Sequence, residues 1–210
     1  LTSCNRWNLL EKTIDSFLKL NNYPIKEYLI HEDSNNEEIY QKIQNKYGYL
    51  FKILKPEKNV GLLKSIDNLY ELVTTKYIFH LEDDWEFKGN SHFMEESLNI
   101  LENNKDIHQV WIRSGIPNEW LEPKNNNNFR MVKKSHYGDW TGFSFNPGLR
   151  RLSDYKLMFP EGYSKHHDKN KNSALNEHDC NLVTINFNYR AALLNSSACK
   201  HIGENQSTYK

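Results

Sequence analysis

The chain has 210 residues, 38% hydrophobic and 13% aromatic, enough for a buried core and inconsistent with wholesale disorder. Twenty-seven Lys and Arg offset 27 Asp and Glu, with an isoelectric point of about 7.3, which leaves no basic footprint for nucleic acid. No apolar run approaches the ~18 residues of a membrane span and no signal peptide is read, so a soluble, cytoplasmic protein is expected. The three cysteines (Cys4, Cys180, Cys199) lack C-x-x-C spacing, so they form neither a disulfide framework nor a zinc site.

Leu1-Thr2-Ser3-Cys4 reads as the tail of a strand that begins upstream. Asn8, three residues before Glu11, has the spacing of a helix N-cap with its acidic partner. Leu10, Ile14, Phe17 and Leu18 then mark one helix face, which Asn21-Asn22-Tyr23-Pro24 stops. Tyr28-Leu29-Ile30 is a buried strand that delivers His31-Glu32-Asp33-Ser34 at its carboxyl end. A helix through Ile39, Ile43 and Tyr47, a strand from Leu50 to Leu54 and a turn at Asn59-Val60-Gly61 follow. The next helix carries Leu62, Ile66, Leu69 and Val73, and strand Tyr77 to Leu81 runs into Glu82-Asp83-Asp84. Beyond it come a helix near Ser91 to Asn103 and a strand at Val110-Trp111-Ile112.

The second half is less regular. Strands are predicted at Phe129 to Val132, Trp140 to Phe145 and Tyr189 to Leu194, with helices at Gly148 to Met158 and Leu175 to Phe187. Pro160 to Ser173 has no apolar period and is expected to be a long loop. Alternating strands and helices at about 25-residue spacing predict an α/β fold, a Rossmann-like single domain with a mostly parallel central sheet flanked by helices. Ligands of such sheets bind beyond the carboxyl ends of strands, where Asp33 and Glu82-Asp83-Asp84 fall.

Three consecutive acids repel one another by about 4 kcal/mol per pair at ~4 Å and an effective dielectric near 20. A hard divalent cation such as Mn2+ or Mg2+ would relieve that repulsion; a solvated acidic turn would also tolerate it, and spacing alone leaves both readings open.

With those residues in view, the chain resembles family-2-type glycosyltransferases of the GT-A fold. Thr2, Asn5 and Arg6 match the T-x-x-N-R-like end of the family's first strand, and Asp33 matches an Asp that contacts uracil. Asn59 and Gly61, with Asn68 on the next helix, resemble its N-x-G and trailing Asn. His80-Leu81-Glu82-Asp83-Asp84 resembles its D-x-D motif, with Glu82 in place of the first Asp. The resemblance implies Asp84 as the metal ligand, with Glu82 and Asp83 toward the nucleotide. Downstream, Asn176-Glu177-His178-Asp179 resembles the acidic motif that supplies a general base, Asp179 first and Glu177 second. Cys199-Lys200-His201-Ile202-Gly203 resembles a C-terminal segment whose His joins the metal or diphosphate site. The other eight histidines are taken as surface residues.

This implies a metal-dependent, inverting transfer of a sugar from a UDP-sugar to a hydroxyl of a glycan or glycoprotein. Residues 1–105 would be the nucleotide-binding half and 106–210 the acceptor-binding half. Lys64, Arg6, Arg150 and Arg151 are candidate cations for the leaving group or sugar, with Arg150-Arg151 placed at a helix start. Trp140, Trp120 and Tyr137 are candidates for stacking on sugar rings, though ordinary core packing is the stronger claim on any one of them. A non-catalytic binding module of the same fold is the alternative. A sugar-phosphate nucleotidyltransferase would need a glycine-rich loop that Ser3-Cys4-Asn5-Arg6-Trp7 lacks, and a glycosidase would not need the nucleotide motifs. The 27 asparagines fit AT-rich coding. With the small size they suggest a domain of a larger protein, viral or bacterial, acting on a capsid or surface glycan; a viral enzyme would work in the host cytoplasm.

Overall fold

The computed structural model describes residues 1–133, 141–166 and 173–204, with backbone alone at 173 and 174. The first half alternates as expected: β1 (Thr2–Ser3), α1 (Trp7–Leu20), β2 (Tyr28–Glu32), α2 (Glu37–Tyr47), β3 (Phe51–Leu54), α3 (Leu62–Tyr70) and β4 (Tyr77–His80). A short strand β5 (Trp85–Phe87), helix α4 (Phe93–Asn103) and strand β6 (Ile107–Trp111) complete it. Then come β7 (Phe129–Met131), β8 (Gly148–Arg151), α5 (Leu152–Met158), α6 (Ser173–Asn186), β9 (Arg190–Leu194) and β10 (Cys199–His201).

Strands β1, β2 and β3 pair in parallel, in the order β1-β2-β3. The second sheet runs β4-β8-β6-β9-β7; β6 and β9 are parallel, while β8 and β7 run against their neighbours. The two sheets meet at a parallel bridge between Thr2 and Glu82, where the Thr2 N–H donates to the Leu81 carbonyl at 3.0 Å. That bridge sets the end of β1 beside the acidic triplet. A separate antiparallel pair joins β5 to β10, with His201 opposite Trp85.

Apolar faces pack the helices onto the sheets. Phe17 of α1 and Phe93 of α4 close over Phe79 and Phe87 with ring centroids 5.1–6.3 Å apart. On another face Leu63, Ile66 and Tyr70 of α3 meet Phe143, Phe145, Tyr155 and Tyr163. Leu10 and Ile14 of α1 and Ile39 and Ile43 of α2 bury Ile30 and Phe51 between them. All three cysteines are buried, and none is in a disulfide among the described residues.

Several local expectations are corrected. Helix α1 begins at Trp7 with Arg6 in the N-cap position and no side-chain cap, so Asn8 lies inside the helix. The predicted helix from Gly148 is a strand for its first four residues, because β8 fills the gap between β4 and β6 and buries all four. Residues 141–145 form no strand, and the expected loop after Pro160 carries a 3-10 turn at Tyr163–His166. His31, His80 and His108 are buried core residues. Trp140 and Tyr137 lie outside the described residues.

Candidate active site

The carboxyl ends of β1, β2 and β4 converge on one cleft. Arg6 stands at its centre because the chain turns sharply after β1: Asn5 has φ of 58° and gives its N–H to Glu32 Oε1 at 2.9 Å. The Arg6 guanidinium donates from Nε to Asp83 Oδ2 (3.1 Å) and from Nη1 to Asp84 Oδ2 (2.9 Å), and its Nη2 also meets Asp83 Oδ1. This use of the side chain explains the absent cap on α1. Asp83 is fully buried; burial raises its carboxyl to about 6 against the opposing pull of Arg6. Burial also pulls Arg6 down, but Asp83 and Asp84 outweigh it and hold the guanidinium above its ordinary range.

Asp84 is shared with the end of the chain. His201 Nε2 lies 3.3 Å from Asp84 Oδ2, the Ile202 N–H donates to the Asp84 carbonyl at 2.9 Å, and Gly203 packs directly on the carboxylate. A Cβ at position 203 would fall 2.5 Å from Asp84 Oδ2, so the close approach requires glycine. Asp84 Oδ1 is buried with no hydrogen-bond partner among the described residues. The unpartnered Oδ1, on a carboxylate whose Oδ2 meets the His201 imidazole, would suit a divalent cation such as Mn2+, with Asp84 and His201 as the protein ligands that would hold it. Among the described residues no group of three His, Cys, Asp or Glu side chains closes on one point, so further ligands would come from a bound anion or water.

Asp33 is fully buried, and its carboxylate oxygens accept from the Val60 and Gly61 N–H groups, both at 2.8 Å. Asn59 Nδ2 donates to the Asp33 carbonyl at 2.9 Å, and Gly61 (φ 85°) adopts a conformation open to glycine. Burial raises the Asp33 carboxyl while these two amides lower it. Asp33, Asn59 and Gly61 therefore build one loop against the end of β2, and each Asp33 oxygen keeps capacity to accept a second hydrogen bond. Thr2 is buried, Asn68 bonds His31 (3.2 Å), and Lys64 is exposed in the first turn of α3.

Across the cleft, Glu177 of α6 accepts from the Phe145 N–H (2.7 Å) and Ser144 Oγ (3.2 Å). Burial raises its carboxyl, opposed by those donors and by Arg113 and Arg150. Glu82 retains some exposed surface but is hemmed in by protein; burial, then Asp84, Glu177 and Asp83, push its carboxyl well up. Glu177 thus senses Glu82 across the cleft. Asp179 is half-buried two residues further on, about 200° around the helix, and cannot face the same point.

The two adjacent arginines part company. Arg150 is buried behind the cleft, donating to the Ser144 carbonyl (3.0 Å) and Tyr163 Oη (3.4 Å), where it supports the segment that holds Glu177. Arg151 pairs with Tyr77 at the opposite end of β4, five residues before Glu82 and so roughly 16 Å of extended chain from the acidic triplet. It donates to the carbonyls of Leu101, Asn104 (2.8 Å) and Ile107 (2.9 Å) and to Asp154, which closes the carboxyl end of α4. Its expected sugar contact is corrected to a structural one.

Sequence reading missed Arg113, just beyond β6, whose guanidinium is lowered by burial against the opposing charges of Glu177 and Glu82. Its signal was the same as that for Asp33: a charged residue immediately after a buried strand.

The family model for glycosyl transferase family 2 matches residues 1–170. A search of curated proteins by sequence gave no match. Among solved structures, the chain is similar to S. aureus TarS 1-349 in complex with UDP-GlcNAc, at 12% identity and a TM-score of 0.63, covering 98% of this chain and 61% of that one. It is also similar to the mannosyltransferase PcManGT from Pyrobaculum calidifontis in complex with GDP-Man and Mn2+, at 10% identity and a TM-score of 0.62, covering 98% of this chain and 57% of that one. These likenesses show the GT-A fold, and the chain spans about three-fifths of each relative's length.

Proposed function

Because the chain belongs to glycosyl transferase family 2, we propose that it moves a sugar from a UDP-sugar to a hydroxyl of a glycan or glycoprotein by a metal-dependent, inverting displacement. The observation that carries this reading is the convergence of Arg6, Asp83, Asp84 and His201 at the strand ends, opposite Glu177. Both solved relatives carry nucleotide sugars in the same fold, one of them with Mn2+.

The chemistry has two demands. The departing diphosphate needs its growing negative charge stabilised, and the acceptor hydroxyl must lose a proton as it attacks. A divalent ion held by Asp84 and His201 would supply Lewis acidity at the diphosphate. Arg6 lies against the same carboxylates and would add positive charge there. Glu177 is the better base of the two acids on α6: one oxygen is fixed by the Phe145 amide and Ser144, and burial raises its proton affinity. A base held in place on one oxygen keeps its geometry while the other receives the proton. Attack from the side opposite the diphosphate, in one step, inverts the anomeric centre.

Calorimetric titration of UDP and GDP, with and without Mn2+, tests this reading. Metal-dependent UDP binding that Asp84→Ala abolishes is expected. Absence of nucleotide binding under every metal condition overturns it. Binding with no turnover of any sugar donor, and no effect of Glu177→Gln, would favour a non-catalytic module.

A further inference from the structure

Helix α6 turns polar groups inward: Asn176, Asn181 and Thr184 are buried while Leu175 and Leu182 stay exposed. A helix face against a core is ordinarily apolar, so the inward amide and hydroxyl groups need partners that satisfy them. The partners of Asn181 lie on residues 141–145. Its Oδ1 accepts from the N–H groups of Thr141 (2.9 Å) and Phe143 (3.3 Å) and from Thr141 Oγ1 (3.3 Å). Gly142 between them has φ of 99°, and a Cβ there would fall 2.7 Å from the Ala191 Cβ. Glycine thus lets the segment press on β9 while its flanking amides converge on one oxygen. From the other side Gln109 of β6, fully buried, accepts the Ser144 N–H at Oε1 (3.4 Å) and donates from Nε2 to the Ser144 carbonyl (2.9 Å). Two side chains, one from the helix and one from the sheet, hold a segment that forms no strand of its own.

That segment in turn holds Glu177. Both hydrogen bonds that Glu177 accepts among the described residues come from it, from the Phe145 N–H and Ser144 Oγ. Glu177 and Asn181 lie four residues apart and so share one helix face, and the amides of Thr141, Phe143 and Phe145 all end on that face. Slack at Thr141 or Ser144 would carry the donors away from the carboxylate. Packing alone does not call for this arrangement, since apolar side chains at 109 and 181 would fill the same space without fixing the direction of any N–H.

Resting on the reading of Glu177 as the base, we propose that Asn181 and Gln109 are its positioning residues, holding Ser144 and Phe145 where their donors fix the carboxylate. Burial raises the Glu177 carboxyl and those two donors oppose it, so a slack segment should let it rise further. Carboxyl-labelled glutamate spectra follow the titration of Glu177 directly, its signal being the one missing from Glu177→Gln. Asn181→Ala and Gln109→Met are each expected to move that titration to higher pH. Asn181→Ser, with a shorter acceptor, takes the place of the alanine variant if that does not fold. Glu82, Arg113 and Arg150 act on the same carboxyl and are left in place by these substitutions. Arg151→Met, which loosens the fold away from the cleft, should leave the titration where it is. Calorimetry with UDP and Mn2+ should give wild-type affinity in both cleft variants, because the nucleotide residues sit on other elements. A Glu177 titration unchanged in either variant, or moved equally by Arg151→Met, overturns the proposal. So does a loss of UDP affinity beyond about tenfold, which would make the two side chains general supports of the cleft. Failure of the wild type to bind UDP would remove the glycosyltransferase reading, while the titration would still decide whether Asn181 and Gln109 place Glu177.

Discussion

Replacing Arg6 by Gln removes the one guanidinium shared by Asp83 and Asp84. Asp83 has no exposed surface and the Arg6 side chain keeps only 13%, so the pair behaves as a buried one. Breaking such a pair costs about 3–5 kcal/mol, because the surviving carboxylate stays buried and unpaired; the residual exposure of Arg6 places the loss near the lower figure. For a chain of this length about 3 kcal/mol lowers the melting temperature by roughly 6–12 °C. Urea unfolding at pH 7 reads the free energy directly. Asp83→Asn in the Arg6→Gln background should return much of the stability, since an amide needs no counter-charge. Mn2+ should raise the melting temperature of Arg6→Gln more than that of the wild type, because the cation takes over the neutralisation of Asp84. A loss below about 1 kcal/mol would class the pair with exposed ones. That result, or a double variant no more stable than the single, refutes the argument.

Three other outcomes follow from the geometry. Burial lowers His31 to about 4 and His108 to about 3, below the ordinary 6.5. The unfolded chain therefore takes up protons first, and stability present above pH 6.5 should be lost as the pH falls toward 4, by about 3 kcal/mol for His31 alone. Urea melts at pH 7 and 4.5 should show a smaller drop for His31→Gln, and an equal drop would count against the assignment. Arg151→Met should destabilise the fold by about 3 kcal/mol, since it uncaps α4 and strands Asp154, while leaving UDP affinity of the folded protein unchanged; reduced affinity at constant fold would restore Arg151 to the cleft. Gly203→Ala forces a methyl group against Asp84 and should weaken Mn2+ binding about tenfold, equivalent to 1.4 kcal/mol, by calorimetry. Unchanged Mn2+ affinity would separate Gly203 from the metal role proposed for Asp84.

The parallel first half was legible because its strands are apolar runs that end in polar clusters, as at Ile30 to Asp33 and Phe79 to Asp84. β5 and β10 were not, since three residues carry no period, and their pairing depends on His201 meeting Trp85 across more than a hundred residues. Strand β8 hid for a different reason: Gly-Leu-Arg-Arg has one apolar residue in four, and its arginines are buried by partners that only the fold supplies. Asn8 matched a capping pattern, but the N-cap position falls to Arg6, whose side chain pairs with Asp83 and Asp84. On α6 the sequence motif held two acids, and only the helical turn separates Glu177, which senses Glu82, from Asp179.

The three buried thiols give the cleft its own clock. Cys4 lies where β1 meets α1 and takes a contact from Asn59 at 3.6 Å, Cys180 is one turn of α6 beyond Glu177, and Cys199 opens β10 opposite Arg113. Burial pushes the Cys199 thiol up to about 12 and Cys180 higher still, so neither reacts as a thiolate while closed. Alkylation at each must wait for its wall to open. Labelling rates followed peptide by peptide would therefore time three separate openings without any added probe, and a bound nucleotide should slow those whose walls it holds together.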